Sequence, residues 1–300
     1  MLSVNIPVFN IDVTPLVKQL VLQAEKLRTG FEIRVYDDGS NEKIKLVNRE
    51  IQHLPGVVYK ELLKNLGRAA IRNKMGMDSV FEYLLFIDAD SLPVTENYLQ
   101  NYMGNLQQNL VVCGGTAYRK EKPAALGELL RWYYGTYREA IPAAQRNNAK
   151  GFIITSNNFL IEKRVFEKIR FRENIGVYGH EDTLLGYDLF KSGISILHID
   201  NPVLHTGLED APVFLEKTRL ALNSLYKIDT ELLKEDLIFA LQVNFLNRYI
   251  SIKRVVPAVF LRLFFKMFHR VIEANLKGRF PVLLFLDLYK LGYYATLEKQ

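Results

Sequence analysis

The stretch Leu84-Leu85-Phe86-Ile87-Asp88-Ala89-Asp90-Ser91 has the pattern of a buried strand that ends in two acidic residues. Consecutive apolar residues of this kind are typical of strands covered on both faces, as in a parallel sheet. Three further β-rich runs precede it, at residues 2–6, 31–36 and 57–59. Longer helical patterns follow the four runs, at residues 13–28, 43–52, 68–77 and 96–106. This alternation predicts an α/β fold with a mostly parallel central sheet.

Polar residues stand where three of these strands are expected to end. They are Pro7-Val8-Phe9-Asn10, Asp37-Asp38-Gly39-Ser40 and Asp88-Ala89-Asp90-Ser91. Ligands of open α/β sheets bind outside the carboxyl ends of the strands, where loops and helix N-termini converge. These strand ends are therefore the candidate binding region.

Asp88 and Asp90 are separated by one small residue, so their carboxylates repel unless a cation lies with them. Oxygen ligands suit Mg²⁺ or Mn²⁺, which would bridge the oxygens of a diphosphate. The alternative is that both acids cap a turn, which is common for Asp after a strand.

Three other groups carry the same ambiguity. Asp38 could accept a hydrogen bond from a nucleobase, or could belong to an ordinary capped turn. Glu181 and Asp182 precede an apolar helical pattern, where a carboxylate could act as a general base or cap the helix. His205 ends a short strand and could complete a Mn²⁺ site, or could be structural.

Taken together and in this order, the groups resemble the family 2 glycosyltransferases, over about residues 1 to 210. The resemblance implies the nucleotide-sugar-binding fold known as GT-A. It implies that the Pro-x-x-Asn turn, here Pro7, Phe9 and Asn10, cradles the nucleoside. It also implies that Asp38 recognises uracil. The Asn-x-Gly-x-x-x-x-Arg-Asn pattern falls on residues 65–73, so that Gly67 and Arg72 would hold the nucleotide or its loop.

The same resemblance assigns the chemistry. The Asp-x-Asp motif falls on Asp88 and Asp90, with Asp90 as the direct metal ligand and Asp88 on the ribose or the metal. The Glu-Asp motif falls on Glu181 and Asp182, with Asp182 as the base of an inverting transfer. Residues 155–159, which include Asn157 and Asn158, resemble the segment that lines the donor and acceptor sugars, and His205 is assigned to the metal.

The expected partners are a nucleotide-sugar donor, with UDP preferred, and a hydroxyl of a glycan or a lipid-linked acceptor. The expected cofactor is Mn²⁺ or Mg²⁺. Two alternatives use the same residues: a non-catalytic nucleotide-sugar-binding or membrane-associated protein, and a haloacid-dehalogenase-type phosphatase. Strand order argues against the phosphatase, because its nucleophilic Asp follows the first strand of the core rather than the fourth.

Composition adds weaker expectations. A net charge of +6 suggests an anionic partner, but the basic residues form no stripe typical of nucleic-acid binding. One cysteine, Cys113, and the absence of a signal-like start favour a cytoplasmic location. The strand pattern stops near residue 212, so we expect a catalytic domain at 1–211 and a helical extension at 212–300.

The extension contains a helical pattern at residues 259–270 in which Arg262, Lys266, His269 and Arg270 fall on one narrow face. Such a helix could lie on the inner face of a membrane, with its cations near anionic headgroups. The alternative is that its apolar face packs against the protein and the cations are solvated.

Overall fold

The computed structural model describes residues 1–106, 110–149, 152–173, 178–234 and 236–298. The chain divides into two compact units. The first contains residues 1–117, 140–173 and 181–207, and the second contains residues 118–139, 174–180 and 208–300. The expected single boundary after residue 211 differs from this division. Residues 118–139 belong to the second unit because Leu130 packs in one apolar cluster with Leu215 and Leu286.

The first unit is built on a seven-stranded sheet with the order β3-β2-β1-β4-β8-β6-β9. Strands β1 to β4 are parallel to one another, β8 is antiparallel to both of its neighbours, and β9 is parallel to β6. The strands are β1 (Leu2–Val8), β2 (Phe31–Asp37), β3 (Val57–Glu61), β4 (Tyr83–Ile87), β6 (Val111–Cys113), β8 (Asn158–Glu162) and β9 (Leu197–His198). The mostly parallel α/β sheet expected from the sequence is confirmed.

The helices of the first unit follow the strands as the alternation predicts. They are α1 (Thr14–Ala24), α2 (Glu42–Asn48), α3 (Arg68–Asp78), α4 (Tyr98–Met103), α6 (Ala143–Asn148), α7 (Lys163–Phe166) and α8 (Glu181–Lys191). Short 3₁₀ turns at Glu25–Leu27 and Arg49–His53 extend α1 and α2. Apolar side chains of β1, β2 and α1 form the main core, and those of β4, β8 and α8 form a second cluster.

A small second sheet in the same unit has the order β5-β10-β7. It contains β5 (Ser91–Pro93), β7 (Thr116–Ala117) and β10 (Val203–His205). Strand β10 runs antiparallel to β5 and pairs His205 with Ser91. This register brings a residue from late in the chain beside the acidic end of β4.

Only helical elements occur in the described part of the second unit. They are α5 (Leu129–Tyr134), α9 (Ala211–Lys227), α10 (Leu237–Gln242), α11 (Asn244–Lys253), α12 (Ala258–Leu276) and α13 (Leu283–Leu297), with a 3₁₀ turn at Leu126–Glu128 and π-helical turns at Gly135–Glu139 and Ile228–Leu232. Helices α12 and α13 pack closely at Gly292, where a Cβ atom would lie 2.7 Å from Cβ of Phe265. Among the described helices, none combines the length and the apolar character needed to span a bilayer.

Candidate active site

The candidate site lies at the carboxyl ends of β1, β2 and β4. Strand β1 is the point at which the strand order reverses, since β2 lies on one side of it and β4 on the other. Loops that leave in opposite directions open a crevice at such a point. The candidate residues of the first unit therefore start from neighbouring strand ends.

The turns after β1 and β2 are tied together by Asn10. Its backbone N–H donates to Oγ of Ser40 at 2.7 Å, and its side-chain oxygen accepts from the backbone and side chain of Asn41. Asn10 has a φ of 56°, a left-handed conformation that Asn adopts more readily than most residues. Phe9 is exposed beside it, and Pro7 is half-buried in β1. This segment therefore offers an exposed ring next to a fixed polar turn.

Asp38 holds the loop that leads into α3. Its two carboxylate oxygens accept from the backbone N–H groups of Leu66, at 2.7 Å, and Gly67, at 3.1 Å. Burial raises the pKa of Asp38 above its ordinary value, against the pull of these two N–H groups. Gly67 has a φ of 83°, which favours glycine, and it is the residue from which α3 begins. The Asp38 carboxylate is thus committed to loop geometry, with one lone pair left on each oxygen.

A chain of ion pairs connects α3 to the end of β4 and the start of α8. Arg72 is 2% exposed and its guanidinium donates to Oδ1 of Asp88. Arg68, one turn earlier, lies 3.6 Å from Oδ2 of Asp88 and 3.3 Å from Oε1 of Glu181. Two arginines thus neutralise Asp88. Glu181 shares Arg68 with Asp88, and the expected contact of Asp88 with the metal or the ribose stays a prediction.

Asp90 is separated from these pairs and faces His205. Oδ2 of Asp90 lies 3.6 Å from Nδ1 of His205. The backbone oxygen of Asp90 accepts from both the N–H and the hydroxyl of Thr206, which fixes the two segments together. Burial favours the neutral acid, but His205 and, more weakly, Arg68 outweigh it, so the pKa of Asp90 lies below its ordinary value.

Asp182 lies in the first turn of α8, and its pKa is shifted in the opposite direction to that of Asp90. Burial and repulsion from Glu181 raise the pKa of Asp182 to about 6, although the Thr183 N–H, Arg68 and Arg72 act in the other direction. A helix N-terminus by itself favours the ionised form of a carboxyl group. Desolvation and Glu181 outweigh the helix terminus.

The two asparagines expected to contact the donor face opposite ways. The side chain of Asn157 is half-buried and donates to Oγ1 of Thr116 at 2.9 Å. Asn158 is 0% exposed, and its side-chain oxygen accepts from the hydroxyls of Tyr98 and Tyr102, both at 2.6 Å. Its amide group donates to two further backbone oxygens. Asn158 is therefore corrected from a donor contact to a buried structural residue.

The residues that could hold a metal ion in this site are Asp90 and His205. In the described ranges, no three His, Cys, Asp or Glu residues are arranged to hold a metal ion. Asp90 and His205 supply one carboxylate and one imidazole, a pair that suits Mn²⁺. Mg²⁺ and related ions are commonly held by one or two carboxylates together with substrate phosphates. The pair therefore fits a metal whose remaining ligands come from a bound diphosphate and water.

Arg68 is the residue that sequence reasoning missed. The family pattern on residues 65–73 singled out Gly67 and Arg72 and treated the four positions between them as variable. A cation on the first residue of a helix, four positions before Arg72, was the available signal, because such residues share one helix face.

Glycosyltransferases are among the solved structures that are similar to this chain. A TarS fragment from S. aureus, residues 1–349, is 17% identical with a TM-score of 0.54, and the match covers 99% of this chain and 90% of that one. A mannosyltransferase from Pyrobaculum calidifontis, in complex with GDP-Man and Mn²⁺, is 13% identical with a TM-score of 0.58, covering 100% and 88%. The TarS fragment in complex with UDP-GlcNAc is 18% identical with a TM-score of 0.53, covering 99% and 90%. At these identities the likeness shows the fold, and it confirms the GT-A type.

No curated protein matches the sequence. The sequence model of glycosyl transferase family 2 matches residues 3–170, more than half of the chain. That range includes the turns after β1 and β2, the loop into α3, and the acids after β4. The match is to a glycosyltransferase family and therefore contradicts the phosphatase alternative. The chain belongs to glycosyl transferase family 2 and is a glycosyltransferase.

Proposed function

We propose that the protein is an inverting, metal-dependent transferase that moves a sugar from a UDP-sugar to a hydroxyl of a glycan or a lipid-linked acceptor. Asp182 is the general base in this proposal, and Asp90 with His205 holds the divalent metal. Asp38, Arg72, Asp88 and Asn157 belong to the donor side, together with Pro7, Phe9, Asn10 and Gly67.

The observation that carries the proposal is that Asp90, 3.6 Å from His205, and Asp182, beside Glu181 in the first turn of α8, have pKa values shifted in opposite directions. The pKa of Asp90 is lowered, whereas that of Asp182 is raised to about 6. Acids whose environments drive their pKa values apart are typical of sites in which one remains an anion and the other exchanges protons. A lowered pKa suits a metal ligand, and a pKa near the working pH suits a general base.

The transfer needs one base and a stabilised leaving group. The acceptor oxygen attacks the anomeric carbon from the side opposite the nucleotide, while the bond from that carbon to the diphosphate oxygen breaks. The acceptor proton passes to Asp182. Within the described residues, the hydrogen bonds to Asp182 reach only Oδ1, so Oδ2 is the oxygen that we assign to the proton. No covalent sugar intermediate is required.

Charge on the departing nucleoside diphosphate is balanced at the other side of the site. A divalent metal held there would neutralise the phosphate oxygens. Arg68, which is about half-exposed at the start of α3, supplies a cation beside Asp88 and Glu181. Because Arg72 already neutralises Asp88, an anionic ligand can bind in this region without net repulsion from that carboxylate.

The preference for uracil as the nucleotide base rests on Asp38. Its oxygens each retain one lone pair after binding the loop, and one of these could accept the N–H of uracil. One solved neighbour carries UDP-GlcNAc and another carries GDP-Man with Mn²⁺, so both base types occur on this fold. The single cysteine, Cys113, is buried and free, which agrees with the proposed cytoplasmic location.

The proposal is tested by thermal unfolding with UDP, GDP, CDP and ADP, each with and without Mn²⁺. We expect UDP to stabilise most and Mn²⁺ to increase its effect, because a ligand that binds only the folded state shifts the unfolding equilibrium. Release of UDP from UDP-sugars in the presence of acceptor sugars should then be metal-dependent. Equal shifts of the unfolding temperature for the four nucleotides would contradict the role of Asp38 in base recognition. Turnover that a chelator does not affect would contradict the metal dependence.

A further inference from the structure

Helix α12 of the second unit has two different apolar sides. Phe264, Phe265, Ile272 and Leu276 pack in one cluster with residues of α13. The second side, which we call the α12 outer face, consists of Phe260, Leu263, Met267, Phe268 and Val271. These five side chains are between 40% and 68% exposed.

The outer face is a continuous stripe. Phe260, Leu263, Met267 and Val271 are spaced by three, four and four residues, which places them on one side of a helix. Val255 and Val259, just before and at the start of the helix, are exposed as well. Contiguous exposed apolar surface of this kind marks an interaction site in proteins. The core packing of α12 therefore does not account for this side.

Basic residues border the stripe. Lys266 and Arg270 are exposed, and each immediately precedes one of the stripe residues. The sequence predicted a basic face that also contained Arg262 and His269. The structure corrects this, because Arg262 is half-buried and the ring of His269 packs on Phe265 at 5.4 Å.

The cations at this face have few acidic partners. Among the described residues, no carboxylate forms an ion pair with Arg254, Lys266 or Arg270. The single acid of α12, Glu273, is already engaged by Lys277 at 2.7 Å and by the hydroxyl of Tyr289 at 3.1 Å.

The charge of the whole chain is concentrated here. Residues 253–284 contain seven of the 39 Lys and Arg and one of the 33 Asp and Glu, so the other residues balance at 32 and 32. The net charge of +6 is thus the charge of the segment that carries α12. A partner for this face must accept apolar side chains and also supply negative charge.

We propose that the α12 outer face docks on an anionic membrane surface. Phe260, Met267 and Val271 would enter the boundary between headgroups and acyl chains, with Lys266 and Arg270 against the phosphates. A second copy of the chain would cover the stripe too, but it would bring two such basic segments together, and their repulsion disfavours that pairing. The inference uses only the second unit and is independent of the assignments at Asp90 and Asp182.

The test is cosedimentation of the full chain with vesicles. One set contains equal parts of phosphatidylcholine and phosphatidylglycerol, and the other contains phosphatidylcholine alone. We expect binding to the anionic set, weakened by NaCl. Lys266→Glu/Arg270→Glu and Phe260→Ser/Met267→Ser/Val271→Ser should each weaken it by at least about tenfold. All variants should unfold at the temperature of the wild-type protein, because their side chains are exposed.

Matched controls come from α1, the 3₁₀ turn that follows it, and the packed side of α12. Lys18→Glu/Lys26→Glu and Leu22→Ser change exposed residues of the first unit and should leave vesicle binding unchanged. Phe265→Ser should lower the unfolding temperature, which distinguishes the packed side from the outer face. The proposal is overturned if the wild-type protein stays in the supernatant with anionic vesicles. It is also overturned if the protein is a dimer by light scattering and the triple serine variant is a monomer.

Discussion

Nδ1 of His205 and Oδ2 of Asp90 are 3.6 Å apart, although the two residues are separated by more than a hundred positions in the chain. The pairing of β10 with β5 produces this proximity, since it sets His205 opposite Ser91. A carboxylate with an imidazole favours Mn²⁺, whereas Mg²⁺ prefers oxygen ligands alone. Substitutions of Asp90 and of His205 should therefore affect the metal dependence differently.

Asp90→Asn should remove metal-dependent donor binding with either ion, because the charged oxygen is lost. His205→Ala should raise the Mn²⁺ concentration for half-maximal activity by about tenfold or more, while changing the Mg²⁺ dependence less. Metal titrations of UDP release measure both effects. Glu50→Gln, at an exposed position of the first unit, is the control. Identical metal dependence in the wild type and His205→Ala would exclude the imidazole from the site.

Asp182→Asn should reduce kcat by about 10²–10⁴-fold with little change in donor KM, because the amide cannot take the acceptor proton. In the wild-type protein, kcat/KM should fall as the pH drops below about 6, where Asp182 becomes protonated. Steady-state kinetics between pH 5 and 8 measure both. A flat wild-type profile, or wild-type turnover in the variant, contradicts the base assignment.

Arg68→Gln should move the acidic limb of that profile to higher pH by up to about one unit. The guanidinium lowers the pKa of Asp182, so its removal leaves burial and Glu181 less opposed. Arg68→Lys keeps the charge, so its acidic limb should lie close to that of the wild-type protein. A loss of activity with an unchanged limb in both variants would instead indicate that Arg68 contributes only to structure.

Much of this arrangement could be predicted because it depends on local pattern. The four strands and their helices follow from the alternation of apolar runs with helical patterns, and the structure places them within a few residues of the expected bounds. The short strand that ends at His205 was also expected, and β10 occupies Val203–His205. Such signals act over short distances, so a single sequence carries them.

Other features depend on tertiary packing. Local pattern alone does not separate Asp88 from Asp90, although the family resemblance does; in the structure α3 pairs Asp88 with Arg72, whereas Asp90 lies beside His205. Asn157 and Asn158 are also indistinguishable by pattern. Asn158 begins β8, where alternate side chains face opposite sides of the sheet, and the adjacent tyrosines of α4 decide which side is buried.

Asn157 and Asn158 therefore make a matched pair. Asn158→Ala should lower the free energy of unfolding by about 2–4 kcal/mol, because buried hydroxyls of Tyr98 and Tyr102 lose their acceptor. Asn157→Ala should change the free energy of unfolding little and should raise donor KM. Urea denaturation and donor titrations separate the two effects. If Asn158→Ala is as stable as the wild type and binds donor poorly, the residue belongs to the donor site after all.

The burial that raises the pKa of Asp182 should also make its ionised form lower the free energy of unfolding. Its folded pKa is about 6, above the ordinary value of 3.8, so the folded state binds protons more tightly than the unfolded state does. The stability linked to this group is present below pH 4 and is lost as the pH rises through 6. At pH 8 the ionised carboxylate should cost on the order of 1–3 kcal/mol.

Asp182→Asn carries no charge at any pH, and its amide oxygen can still accept the Thr183 N–H. The variant should therefore be more stable than the wild type in urea at pH 8, with the difference vanishing near pH 4. Glu50→Gln provides the comparison for removal of an exposed carboxylate. A stability difference that is the same at pH 8 and pH 4 would show that Asp182 is not held in the folded state with a raised pKa.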